Sequence, residues 1–185
     1  CLAGASDGVL YAGTLSGAAF FDGTRWTKIM EAENQAVFSI ARSEDTVWVS
    51  ISTGIWQLSV NKEEVVFHPL QAPARRIALS SNGDVWAATT GAGLAQWDGN
   101  KWSYFTTANS GIPFNTVNWI DEMKPGLLWV ATAYPNAAGG VVASFSDGKW
   151  RSYLTNNSGS SGSEPLTIAH DSEGQVWIGT RSQGI

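Results

Sequence analysis

An aromatic residue set among β-forming residues returns five times in this chain, and no other feature restricts its fold as strongly. The five segments are Val9-Leu10-Tyr11-Ala12-Gly13-Thr14, Val47-Trp48-Val49-Ser50-Ile51, Val85-Trp86-Ala87-Ala88-Thr89, Leu128-Trp129-Val130-Ala131-Thr132 and Val176-Trp177-Ile178-Gly179-Thr180. Their aromatics stand 37, 38, 43 and 48 residues apart. That interval is enough for four short strands and their turns, about 40–50 residues per unit. No window keeps a helical period, and the frequent glycines would interrupt a helix.

More of the unit recurs than its aromatic. A glycine follows each small-Thr or small-Ile pair: Gly17, Gly54, Gly93, Gly140 and Gly184. Next comes Asp-Gly ahead of a tryptophan: Asp22-Gly23 with Trp26, Asp98-Gly99 with Trp102, and a copy one residue shorter, Asp147-Gly148-Lys149-Trp150. Asp-Gly between apolar runs marks a hairpin, because glycine accepts the positive φ of the turn. In the second repeat this turn has become Asn61-Lys62-Glu63-Glu64, which predicts a longer or looser hairpin. A short apolar strand precedes each later aromatic strand, as in Phe38-Ser39-Ile40-Ala41 and Val117-Asn118-Trp119-Ile120. Strands A, B, C and D of one repeat therefore centre on Ile40, Trp48, Ile55 to Leu58, and Val65 to Phe67. The expected fold is an all-β propeller of four-stranded antiparallel blades. The repeats span about 7–36, 37–74, 75–114, 115–164 and a partial 165–185, within one propeller segment covering 1–185.

Strand B is nearly continuous in apolar residues, so Trp48, Trp86, Trp129 and Trp177 are expected in the core between blades, with Trp26, Trp102 and Trp150 at the blade rim. The pattern starts at strand B of its first repeat and stops as strand C of its fifth begins. Such a segment belongs to a larger ring of six to eight blades. It is expected to need further blades or a partner chain over its open faces, and not to form a stable monomer alone.

At this level of detail the repeat resembles the two-component regulator propeller repeat. Residues 168–185 carry the resemblance most fully, through Ile168, Ala169, Asp171, Gly174, Val176-Trp177-Ile178-Gly179-Thr180 and Gly184-Ile185. Asn109-Ser110-Gly111-Ile112 resembles the segment that often precedes strand A in that family. The resemblance implies a bacterial sensor-type module, periplasmic or extracellular, such as those that build receptor sensor parts or secreted and anchored proteins. The chain begins at Cys1, its one cysteine, which fits a lipid-anchored protein.

The expected function is non-enzymatic: binding an unidentified small ligand or protein partner on the loop face, as a receptor sensor module or a subunit of a larger assembly. The alternative is a fragment of a propeller lyase of the streptogramin-lyase type, which needs a catalytic histidine and a metal site. Only His68 and His170 are present, neither in a metal-ligand spacing, so no catalytic residue, metal or cofactor is assigned. Asp171-Ser172-Glu173-Gly174 reads as a turn, because it lacks the further acids of a calcium loop. The net charge of -5 and scattered basic residues argue against a nucleic-acid partner. Binding residues are sought where the chain departs from its own repeat. Trp56 and Trp119 are tryptophans outside the repeated positions, and Tyr134 and Asn136 lie in a lengthened B–C loop, where function tends to sit.

Overall fold

The computed structural model describes residues 1–4, 7–60, 64–134, 139–153 and 163–184. Its chain divides into two compact units, Cys1–Leu79 and Ser80–Ile185.

The first unit holds two four-stranded antiparallel meanders. One is β1 (Leu2–Gly4), β2 (Leu10–Thr14), β3 (Gly17–Phe21) and β4 (Trp26–Ile29). The other is β5 (Ser39–Arg42), β6 (Thr46–Ser50), β7 (Gly54–Ser59) and β8 (Val65–Pro69). Strand β9 (Ala74–Leu79) closes the unit. It is tied to the second sheet by Ser50 Oγ, which donates to the Ala74 carbonyl at 2.8 Å, and by the Ile77 amide, which donates to Ser39 Oγ at 3.0 Å. Strand β1 corrects the expectation that the first repeat lacks its strand A. Leu2 pairs with Ala12 and Ala3 with Tyr11, so the sheet has all four strands. This strand is three residues long and none of its residues is buried, so its conformation comes from pairing with β2 and not from an apolar pattern of its own.

The second unit continues the third repeat with β10 (Val85–Thr89), β11 (Leu94–Trp97) and β12 (Trp102–Phe105). A complete meander follows: β13 (Thr116–Lys124), β14 (Leu127–Ala133), β15 (Gly140–Ser146) and β16 (Lys149–Tyr153). The fifth repeat contributes the pair β17 (Pro165–His170) and β18 (Val176–Thr180).

Strand B behaves as its composition predicts. Every residue of β10 is buried, as are the last four of β6. Both faces are therefore covered, which the unbroken apolar run requires. Val49, Ile51 and Ile55 are at most 1% exposed, and each contributes about 1.5–3 kcal/mol through burial.

The strand-B tryptophan has a specific seat. In three repeats an aromatic ring from strand D covers it: His68 lies 5.6 Å from Trp48, Phe105 lies 5.5 Å from Trp86, and Tyr153 lies 4.7 Å from Trp129. Trp48 and Trp86 are buried and Trp129 is half-buried. Trp177 departs from the expectation of burial, being 52% exposed. Among the described residues the fifth sheet has only two strands, so no strand-D ring reaches Trp177. The rim tryptophans occupy another layer, where each pairs with a strand-C aromatic across the C–D hairpin: Phe21–Trp26, Trp97–Trp102 and Phe145–Trp150.

Turn chemistry accounts for the remaining repeated residues. The threonine ending strand B folds its hydroxyl onto the glycine carbonyl beyond the turn: Thr89 to Gly93 at 2.6 Å, Thr180 to Gly184 at 2.9 Å, and Thr14 to Gly17 at 3.0 Å. In the C–D hairpins Asp22 accepts the amides of Thr24 and Arg25, and Asp98 those of Asn100 and Lys101. The shorter copy works differently. Asp147 and Gly148 have φ of 52° and 74°, a two-residue turn with both central residues left-handed that pairs Ser146 directly with Lys149. The core of the degenerate turn, residues 61–63, lies outside the described residues.

These bonds have a pH consequence. Hydrogen bonds from the Thr24 hydroxyl and the amides of Arg25 and Thr24 hold the Asp22 carboxyl down at about 2. A depressed pKa means that the stabilisation is complete above the unfolded value of 3.8 and is lost as pH falls through about 2. Asp22 should therefore titrate near 2 when its carboxyl carbon is followed by NMR. A midpoint at the ordinary 3.8 would show that the turn is not closed in solution.

Candidate functional site

Strand β13 should alternate like the other A strands, but its ladder with β14 slips between Val117 and Trp119. The extra residue is Asn118. A bulge re-aims the side chain it carries and is common beside functional sites. Here it buries an amide that would otherwise alternate along the strand. Asn118 Nδ2 donates to Glu164 Oε1 at 3.1 Å and to the Pro165 carbonyl at 3.0 Å. Its Oδ1 is buried and has no hydrogen-bond partner among the described residues.

Glu164 carries the network outward. Its Oε2 accepts from Arg181 Nε at 2.7 Å, and its carbonyl accepts the Arg181 amide at 2.9 Å. The carboxylate holds the guanidinium firmly charged. The Glu164 side chain is 14% exposed and that of Arg181 is 58% exposed, so the pair runs from a buried anchor to an open donor. Ser163 and Ser182 add a hydroxyl pair at 2.9 Å beside it.

Tyr134, immediately after β14, presents a half-open ring at the same end of the blades. It meets Phe114 edge-on, with ring centres 4.6 Å apart, and is 39% exposed. Phe114 and Glu164 precede A strands, whereas Tyr134 and Arg181 follow B strands. By connectivity all four belong to the face carrying the D–A and B–C loops.

The sequence-predicted residues are distributed unevenly over this geometry. Tyr134 is on the face, and Asn136 lies outside the described residues. Trp56 is in the first unit, where it packs with Phe67, ring centres 4.6 Å apart, against the core around Tyr11 and Val49. Trp119 is half-buried against Ala131, Val142 and Ile168. Sequence reasoning missed Asn118, Glu164 and Arg181. The available signal was Asn118 itself, an amide between the apolar Val117 and Trp119.

Each histidine has a side-chain partner among the described residues. Burial pushes the His68 imidazole below its ordinary pKa, and its Nε2 meets Gln57 Oε1 at 2.9 Å while its ring covers Trp48. His170 Nδ1 faces Asp121 at 3.1 Å, not its neighbour Asp171. Asp171 instead accepts the amides of Glu173 and Gln175, closing the turn expected of it. Among the described residues no group of three or more His, Cys, Asp or Glu is gathered to hold a metal ion.

Comparison with known proteins closes the fold assignment. Residues 159–182 match the two component regulator propeller. No curated protein matches the chain. Among solved structures, the extracellular domain of the putative one component system BT4673 from B. thetaiotaomicron is similar, with 21% identity and a TM-score of 0.77 over 98% of this chain. This chain covers 25% of that one, so it spans about a quarter of its length. YCF48 bound to D1 peptide gives 12% identity and a TM-score of 0.66 over 97% of this chain and 59% of its own. A putative gluconolactonase gives 13% identity and 0.67 over 99% and 71%. The chain thus has the β-propeller fold, built from four-stranded antiparallel blades, and matches the two component regulator propeller over residues 159–182.

Proposed function

We propose that this propeller, with its two-component regulator repeat, is a non-enzymatic recognition module that takes a ligand or partner on the loop face of its fourth and fifth repeats. The fold it shares with an extracellular sensor domain supports an extracytoplasmic position, periplasmic or extracellular. A sensor role and a place in a larger assembly use the same face in the same way.

One observation carries this reading. Arg181 is open to solvent, yet its Nε is committed to Glu164, which the bulged Asn118 holds in turn. An ordinary surface arginine loses much side-chain freedom on binding, whereas this one is oriented beforehand and loses less. Its remaining donors suit an anionic or oxygen-rich group, and the Tyr134 ring suits an apolar or ring-shaped neighbour.

A thermal-shift panel of organic acids, sugar acids and neutral oligosaccharides tests this directly. Binders should emerge whose shift drops on Arg181→Gln and on Tyr134→Ala, with affinity falling about tenfold for loss of one charged hydrogen bond. Binders indifferent to both substitutions would place recognition elsewhere.

A further inference from the structure

The first unit contains a groove of about 540 Å³ between its two sheets, far from the residues that carry the proposed recognition face in sequence and lying in the other unit. Tyr11 and Phe20 line it from the first sheet, and Val47, Leu58 and Val65 from the second. The size falls within the range of small-molecule sites, and the walls are largely apolar as such sites require. Val65 is 42% exposed, so the groove opens to solvent along an apolar edge.

Arg42 lines this groove, and its state is unusual. Its side chain is only 5% exposed. Nη2 donates to Asp7 Oδ2 at 2.8 Å and to the Glu44 carbonyl at 3.3 Å, and the guanidinium carbon stands 5.6 Å from the centre of the Tyr11 ring. Nε, however, is buried with no acceptor among the described residues. A buried donor on a charged group that lacks an acceptor is costly, and native structures seldom leave one without reason.

The other charges at the groove are Asp7, Lys28 and Glu31. Lys28 is bound to Glu33 at 2.8 Å, and Asp7 accepts the Val9 amide with one oxygen and Arg42 with the other. With two acids facing two bases, the groove as a whole carries no net charge, so the unsatisfied guanidinium edge is its distinguishing feature. Apolar walls ending on such an edge suit a molecule with an apolar body and one carboxylate.

We infer that the groove between the first two sheets binds small apolar carboxylic acids, with the carboxylate on Arg42 and the body among Phe20, Leu58 and Val65. The site is built entirely from residues of the first unit and does not depend on Arg181.

Phenylacetate and its uncharged counterpart phenylacetamide test this on the whole 185-residue chain, read by the arginine Nε–H resonances in ¹⁵N–¹H spectra. Phenylacetate should bind saturably, move the Arg42 Nε–H signal, and bind at least about tenfold more tightly than phenylacetamide. Arg42→Gln should abolish that preference. Because Arg42 also holds Asp7, Val65→Glu is the second variant: a surface change that places a like charge at the groove edge. It should weaken phenylacetate severalfold more than phenylacetamide, narrowing the preference between them, while Arg181→Gln should alter neither. Equal affinity for the two compounds, absence of saturation, an unmoved Arg42 signal, or indifference to Val65→Glu would each overturn the inference.

Discussion

Trp86→Ala should cost about 3–5 kcal/mol in urea denaturation, the range for deleting a large buried ring from a core that closes only partly. Trp86 is 5% exposed, lies in a strand with every residue buried, and is covered by Phe105. Its removal opens a void against β11 and β12 and leaves Phe105 with Phe145 as its ring contact. Trp177→Ala, at the same position of the repeat, should cost under about 1 kcal/mol, because a half-exposed ring surrenders little. The contrast carries the point: within the 185-residue chain, equivalent positions differ in energy because Trp86 has a strand-D ring above it and Trp177 has none among the described residues. Equal losses at the two positions would mean that the covering ring is not what seats the tryptophan.

Gly93→Ala should cost about 2–4 kcal/mol, combining a left-handed backbone with overpacking against a carbonyl. Gly93 has a φ of +78°, and a Cβ there would run into the Phe105 carbonyl. Its amide also donates to the Asn115 carbonyl at 2.8 Å, and its own carbonyl receives the Thr89 hydroxyl, so the backbone cannot shift away freely. Gly54 likewise meets the strand-D carbonyl of His68, and Gly140 meets the strand-B carbonyl of Thr132, so a backbone carbonyl excludes a Cβ at this point of three repeats. Gly99→Ala is the control. Its φ is +93° but nothing lies within 4 Å of the added Cβ, so only the backbone term of about 1–2 kcal/mol remains. Urea melts of the two variants compare them directly. A Gly93→Ala protein no less stable than Gly99→Ala would remove the steric account.

The fold was legible in the sequence because strand B and its flanking turns carry their own chemistry. A Thr that bonds a glycine carbonyl, an Asp that gathers turn amides, and an unbroken apolar strand each leave a local mark. Strand β1 left none: Leu2-Ala3-Gly4 becomes a strand only by pairing with β2. Trp177 misled for a related reason, since its burial depends on a ring from another strand and not on its own neighbours. The proposed recognition face was legible in part. Tyr134 stood out because its loop outgrows the repeat. Asn118, Glu164 and Arg181 did not, because their relation spans 46 and 17 residues and rests on a bulge that no local pattern announces.

The central structural claim is that Trp48, Trp86 and Trp129 are seated by the strand-D ring of their own blade, and one experiment addresses it across the whole chain. Fluorine NMR of the 5-fluorotryptophan-labelled protein reports all ten tryptophans, and the shift on exchanging H2O for D2O reads the exposure of each. Trp48 and Trp86 should show almost no solvent shift, Trp129 an intermediate one, and Trp26 and Trp177 the largest. A Trp177 as shielded as Trp86, or a Trp86 as open as Trp177, would contradict the account.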